Sequence, residues 1–267
     1  MNLARHRSKD GTSLSYRCSG TGPHIVFVHG SATDGRRWLP VLPLFEKRFT
    51  SCVLDRRGHG ESEDATSYCI EAEFDDIATL TAAVDGGPVD VVAHSYGALC
   101  ALGAVCRGAA IRRLVLYEPP LPMEPGSYFR PGLSRTMREA IERKDNEAAF
   151  EAFAADALAL SPDEIDAMRR LATWTALVGH AVLILRELES VEHLIGRPSL
   201  FRECAAPTLL LVGGNSPPQY RTTAEALDAV LPSSRIVTLP NQGHVAISTA
   251  PELFAGEVID FLTAPVV

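Results

Sequence analysis

The stretch Val89-Asp90-Val91-Val92-Ala93-His94-Ser95-Tyr96-Gly97 runs from a short apolar segment into a helix rich in small residues, Ala98 to Ala104. A serine set where a strand turns sharply into a helix must adopt a strained backbone. Small residues two before and two after it let neighbouring chain approach. Ala93 and Gly97 hold those positions, so the pattern is G-x-S-x-G with alanine for the first glycine. Alanine is still compact, and the departure is mild. The turn aims the helix N-terminus, and with it the Tyr96 N–H, at whatever oxygen reacts beside Ser95. Five residues alone are a weak signal. Their place between a strand and a helix is what makes them a nucleophile elbow.

Outward from this elbow the chain alternates short apolar runs with helical stretches. Ile25 to Val28, Thr50 to Leu54, Val89 to Ala93, Leu114 to Tyr117, Thr208 to Val212 and Arg235 to Leu239 read as strands. Runs this short and this continuously apolar suit strands covered on both faces, as in a parallel sheet. The intervening helical stretches complete βαβ units. Ser8 to Thr12 reads as a hairpin turn between two antiparallel edge strands.

From about Leu121 to Leu200 the strand signals stop. Arg135 to Arg143, Asn146 to Leu160 and Pro162 to Val191 read as helices. Asn146 and Ser161 are the expected N-caps, with Pro162 at the first helical position. Eighty residues are too long for a connection. The expected fold is therefore α/β. It has a mostly parallel central sheet flanked by helices, formed by residues 1–120 and 201–267, with an inserted helical cap at 121–200.

Composition narrows the partners. There are 25 basic against 33 acidic residues, a net charge of −8, which argues against nucleic acid or an anionic membrane. Met1 to Gly20 carries Arg5, Arg7, Lys9, Asp10 and Arg17 and lacks the apolar core of a signal peptide, so a cytoplasmic location is expected. Ala176 to Leu185 is the most membrane-like stretch. It falls well short of the ~20 apolar residues a span needs. The six cysteines show no metal spacing and are expected to be reduced and mostly buried. No phosphate loop, metal cluster or dinucleotide fingerprint occurs, so no metal and no cofactor is expected.

The chain resembles the α/β-hydrolase family over essentially its whole length. The resemblance rests on His29-Gly30, on Asp55-Arg56-Arg57-Gly58-His59-Gly60-Glu61-Ser62, on the Ser95 elbow and on Gly243-His244. It implies that Ser31, the residue after His-Gly, donates a second oxyanion N–H beside that of Tyr96. It also implies that His244, in the loop after the last strand, is the base. Imidazole suits that task because its ordinary pKa, near ~6.5, lets it take and return a proton at neutral pH. His29 is either part of the substrate side of the site or only a shaper of its turn. His59 reads as structural, within a turn that Asp55 and Arg56 tie together.

The acid of the triad is the open position. In the family it follows the fifth strand of the sheet core, where this chain reads Gly213-Gly214-Asn215-Ser216-Pro217-Pro218. No carboxylate lies between Pro207 and Ala224. Asn215 stands at the expected place, and an amide can orient a histidine without stabilising its charged form. Glu118, at the end of the strand after the elbow helix, is the alternative. Some branches of the family, certain haloalkane dehalogenases among them, draw their acid from that strand end. The dehalogenase reaction itself is disfavoured, since its nucleophile is an aspartate and this elbow carries Ser95.

Three functions stay open on these residues. The first is a serine hydrolase acting on an ester, lactone, thioester or related carbonyl. The second is a non-hydrolytic enzyme on the same fold, a cyclase, lyase or perhydrolase, which the missing carboxylate favours. The third is a binding protein that keeps the pocket. Fold alone does not choose among them. Trp174 and His180 are candidate substrate contacts in the helical segment, with plain core packing as the alternative. Few charges in its central helix point to a small apolar or moderately polar substrate.

Overall fold

Eight strands form one sheet. They are β1 (Asn2–Arg7), β2 (Ser13–Gly20), β3 (His24–Val28), β4 (Thr50–Leu54), β5 (Val89–His94), β6 (Ile111–Tyr117), β7 (Thr208–Gly213) and β8 (Ser234–Leu239). The computed structural model describes residues 2–85, 87–158 and 160–265. The strand order is β1-β2-β4-β3-β5-β6-β7-β8. The first two pairings are antiparallel and the rest are parallel, as the apolar runs predict. The Ser8–Thr12 hairpin closes with Ser8 N–H donating to the Thr12 carbonyl at 2.9 Å.

Eleven α-helices accompany the sheet among the described residues: α1 (Leu42–Phe45), α2 (Ile70–Asp85), α3 (Tyr96–Cys106), α4 (Leu133–Glu142), α5 (Asn146–Asp156), α6 (Pro162–Arg169), α7 (Trp174–Gly179), α8 (Ala181–Glu192), α9 (Pro218–Asp228), α10 (Ala246–Thr249) and α11 (Pro251–Thr263). Side chains alternate faces along a strand. Val26, Val28, Val91, Ala93, Leu114 and Leu116 accordingly pack under α2, α3 and α9. Ile25, Phe27, Val92, Val115, Leu209 and Leu211 pack on the other face against α1, α10 and α11. Both faces are covered, which is why the central strands read as unbroken apolar runs.

Between β6 and β7 the chain is helical, from α4 to α8, and builds a core of its own. Leu133, Met137, Phe150, Phe153, Ile184 and Leu188 form its centre. Three expectations need correction here. The single helix expected over Pro162 to Val191 is three, broken at 170–173 and at His180. The cap of α5 is Asp145 rather than Asn146, its carboxylate accepting from Ala148 N–H at 3.0 Å. That helix ends at Asp156, short of Leu160, and residue 159 lies outside the described residues. Ser161 caps α6 as expected, in a reciprocal box with Glu164.

The cysteines also depart from expectation. Cys18 and Cys52 are directly paired across β2 and β4 and form a disulfide. Of the others, Cys100 and Cys204 are buried, while Cys69 and Cys106 are exposed. No helix among the described residues is long and apolar enough to cross a membrane.

Candidate active site

Ser95 sits between β5 and α3 with φ 53° and ψ −128°, the strained conformation that an elbow demands. Its own N–H is anchored to the Tyr117 carbonyl at 2.9 Å. Gly97 is obligatory: a Cβ there would lie 2.1 Å from the His29 carbonyl oxygen. Gly30 is also pressed, from the loop after β3, where a Cβ would sit 2.8 Å from Ser95 Cβ and 3.4 Å from its Oγ. That contact sets the segment leading to Ser31 directly against Ser95. Ala93 is fully buried under the helix layer, so alanine fits where the family pattern has glycine.

Tyr96 opens α3, where an N–H has no carbonyl one turn back to bond. Its side chain points away from the chemistry. It is buried, its hydroxyl meets that of Tyr68 at 2.6 Å, and the Arg56 guanidinium lies 4.8 Å from its ring centre. Only its backbone faces the elbow.

His244 follows β8 and remains a quarter exposed. Its Nδ1 lies 2.5 Å from Glu118 Oε2, a charge-assisted contact. Glu118 directly follows β6 in a left-handed backbone with φ 51° and is buried. Its second oxygen, Oε1, accepts from the Gly213 N–H at 2.7 Å. With Nδ1 engaged, Nε2 is the ring nitrogen left for a reacting group. His94, adjacent to Ser95, donates from Nε2 to the His244 carbonyl at 2.9 Å, and the two rings are 4.6 Å apart. Tyr117 donates its hydroxyl to the Gly243 carbonyl and accepts from Ala246 N–H at 3.2 Å. The loop carrying His244 is thus held from two strand ends.

Asn215, the other expected acid position, is exposed, and its backbone N–H donates to the Gln242 carbonyl at 2.8 Å. The imidazole it would orient is already taken by Glu118. Here the loop after β7 supplies an N–H to the carboxylate instead of supplying the carboxylate.

His29 is corrected from a substrate contact to a shaper of its turn. It is fully buried. The Arg56 N–H donates to its Nε2 at 3.0 Å, so Nδ1 carries the proton and donates to the Gly30 carbonyl at 2.8 Å. Burial, with His59 and Arg56 beside it, holds the imidazole well below the usual histidine range. Both ring nitrogens are spent. Trp174 is likewise used within the helical segment. Its ring meets Phe150 edge-on at 5.3 Å, and its indole N–H donates to Glu147 at 3.2 Å. His180, at the junction of α7 and α8, stacks on His59 of the turn after β4 at 5.2 Å.

No sequence pattern signals the bond between the helical segment and the loop after β3. Glu187 on α8 is buried and ion-pairs with Arg56, which also pairs with Glu73 at 2.7 Å. Arg56 Nη1 donates in turn to the Gly30 carbonyl at 3.0 Å. His59 Nε2 lies 3.2 Å from Glu187. Burial opposes the charge on Glu187, but Arg56 and the His59 hydrogen bond outweigh it and hold the carboxyl well below the usual range. Nearby, Arg186 pairs with Asp64 at 2.7 Å, and Ala32 packs on the segment's apolar core. Asp55 ties the turn as expected, accepting from Ser15 Oγ, Gly35 N–H and Glu61 N–H at 2.9, 2.9 and 3.1 Å.

This network gives an expected outcome. Glu187→Ala strands one side of a buried arginine and should cost about 3 kcal/mol or more, read by chemical denaturation at pH 7. A depressed carboxyl stabilises the fold above its unfolded value, near ~4.3, and loses that contribution as pH falls through the folded value. The gap between Glu187→Ala and the parent should therefore narrow at about pH 3. A gap unchanged by acid would contradict the ion pair.

A strained serine at a strand-to-helix elbow, a histidine after the last strand and a carboxylate on that histidine define a class of enzyme. The chain belongs to the alpha/beta hydrolase family, whose model matches residues 25–257. It is similar to a 2-(acetamidomethylene)succinate hydrolase of Mesorhizobium japonicum, 23% identical over 94% of this chain and 92% of that one. It is also similar to an sn-1-specific diacylglycerol lipase of Mus musculus, 27% identical over 93% and 85%. The crystal structure of an alpha/beta hydrolase from Sphaerobacter thermophilus superposes with a TM-score of 0.87. The identity is 29%, covering 97% of this chain and all of that one.

Proposed function

We propose that the protein is a serine hydrolase acting on an ester, thioester, lactone or related carbonyl of a small, apolar or moderately polar molecule. The observation that carries this reading is the 2.5 Å contact between Glu118 and His244 Nδ1. A carboxylate there fixes the tautomer, so Nε2 takes the proton of Ser95 as its Oγ attacks the carbonyl. It also stabilises the imidazolium that results. The N–H groups of Ser31 and Tyr96 bind the tetrahedral oxyanion, which they fit better than the neutral carbonyl. The imidazolium then protonates the leaving group, and water, deprotonated by the same histidine, releases the acid.

The case for a cyclase, lyase or perhydrolase rested on a missing carboxylate, and Glu118 supplies one. The helical segment of residues 121–200 acts as a cap over this centre in our reading. It is pinned beside the oxyanion loop through Glu187, and His180 is its candidate substrate contact. A fluorophosphonate probe tests the assignment. It should form one adduct, on Ser95, located by mass spectrometry. Turnover of any acyl substrate found should consume one water per product. A protein that stays unlabelled, or one labelled elsewhere, would overturn the reading.

A further inference from the structure

The loop that usually carries the acid leads into α9, and the third residue of that helix is Tyr220. Its ring lies 4.7 Å from the His244 ring, centre to centre, with the planes only 21° apart. This is a stacked pair, and nothing in the reaction scheme so far uses it. The stack is itself supported. Tyr128 meets the Tyr220 ring edge-on, at 5.1 Å and 89°. The Tyr128 hydroxyl donates to Thr223 Oγ1 at 2.7 Å, and Thr223 donates to the Leu121 carbonyl at 2.7 Å. Tyr220 is thus held from behind by a hydrogen-bonded ring that reaches into the segment after β6.

We propose that Tyr220 is a positioning residue for His244, its ring face fixing the imidazole plane and stabilising the imidazolium that forms as Ser95 gives up its proton. The proposal rests on the serine-hydrolase reading of the site. Glu118 holds the ring by one edge atom, and the His94 ring, 4.6 Å away, meets it at a 42° tilt. The Tyr220 face, only 21° from the imidazole plane, is the neighbour that fixes that plane. The face of an aromatic ring is also its negative side, so it attracts a cation above it. The imidazolium exists only once Ser95 has been deprotonated, so the benefit falls on the transition state and not on substrate binding. The phenol stays neutral: burial, with Glu118 and Tyr117 nearby, pushes its ionisation up. The ring face, rather than a charged oxygen, is therefore what meets His244.

The test compares Tyr220→Leu and Tyr220→Met, which keep apolar bulk, with Tyr220→Phe, which keeps the face. Both non-aromatic variants should lose roughly 2- to 30-fold in kcat, the value of a partly desolvated cation–π contact, with KM nearly unchanged. Tyr220→Phe should restore most of the turnover. The far-downfield proton resonance of His244 Nδ1–H, held by Glu118, should stay in place in Tyr220→Phe and shift or broaden in the other two. Equal kcat in all variants, or Tyr220→Phe as damaged as Tyr220→Leu, would overturn the proposal. So would an Nδ1–H resonance that does not respond to loss of the ring. That resonance needs no turnover, so it still judges the stack if fluorophosphonate labelling rejects the hydrolase reading.

Discussion

Glu118→Gln is expected to lower turnover by about 10⁴, the size of loss that follows when a triad carboxylate becomes an amide. The charge that offsets the imidazolium disappears. The tautomer is disturbed as well, because the glutamine amide has both a donor and an acceptor end. One end must meet His244 Nδ1, now 2.5 Å from Oε2, and the other the Gly213 N–H, now 2.7 Å from Oε1. An amide nitrogen facing Gly213 N–H would oppose donor to donor. Facing His244, it would demand that Nδ1 accept and push the proton to Nε2, where it blocks Ser95. Asn215→Asp should change kcat little, since residue 215 is exposed and bound through its backbone. Steady-state kinetics on the two variants decide the matter. A large gain in Asn215→Asp, with Glu118→Gln silent, would return the acid to the loop after β7.

Ser95→Ala is expected to cost still more, on the order of 10⁶ in kcat, with a residue of catalysis from the oxyanion donors and binding. The fold should survive. Alanine differs from serine by one oxygen, and Ser95 contributes its backbone to the elbow through the Tyr117 carbonyl. The left-handed φ of 53° already accommodates a Cβ. Fluorophosphonate labelling should vanish while the denaturation midpoint stays close to that of the parent. Turnover retained in this variant would mean that another group attacks the substrate.

What the sequence displayed and what it hid divide along physical lines. The elbow was legible because its requirements are local: an apolar run, two small residues and a helix. The central strands were legible for the same reason, since Ile25 to Val28 and Thr208 to Val212 need only be covered on both sides. The acid was legible as a choice between Glu118 and Asn215 and no further. Which strand end reaches the imidazole depends on side-chain length and loop path, and neither is written as a pattern. Over Pro162 to Val191 the helix breaks at 170–173 and at His180, the second break directly after Gly179, a poor helix former. The Arg56–Glu187 pair joins residues 131 apart, and the Tyr220–His244 stack joins the first turn of α9 to the loop after β8. No periodicity records such meetings. The Cys18–Cys52 bond depends on the register of β2 against β4, which spacing does not reveal.

The span of Glu118 from β6 to the backbone of Gly213 bears on how such a site can change over evolutionary time. β6 and β7 are neighbours, and paired strands lie about 4.8 Å apart. Their two ends open on one imidazole, and the extra methylene of glutamate over aspartate offsets part of the offset between them. A carboxylate can be gained at one end before it is lost at the other, with the histidine and serine left in place. Among relatives of this chain, an absent aspartate after β7 is then no mark of a dead enzyme until the end of β6 has been inspected.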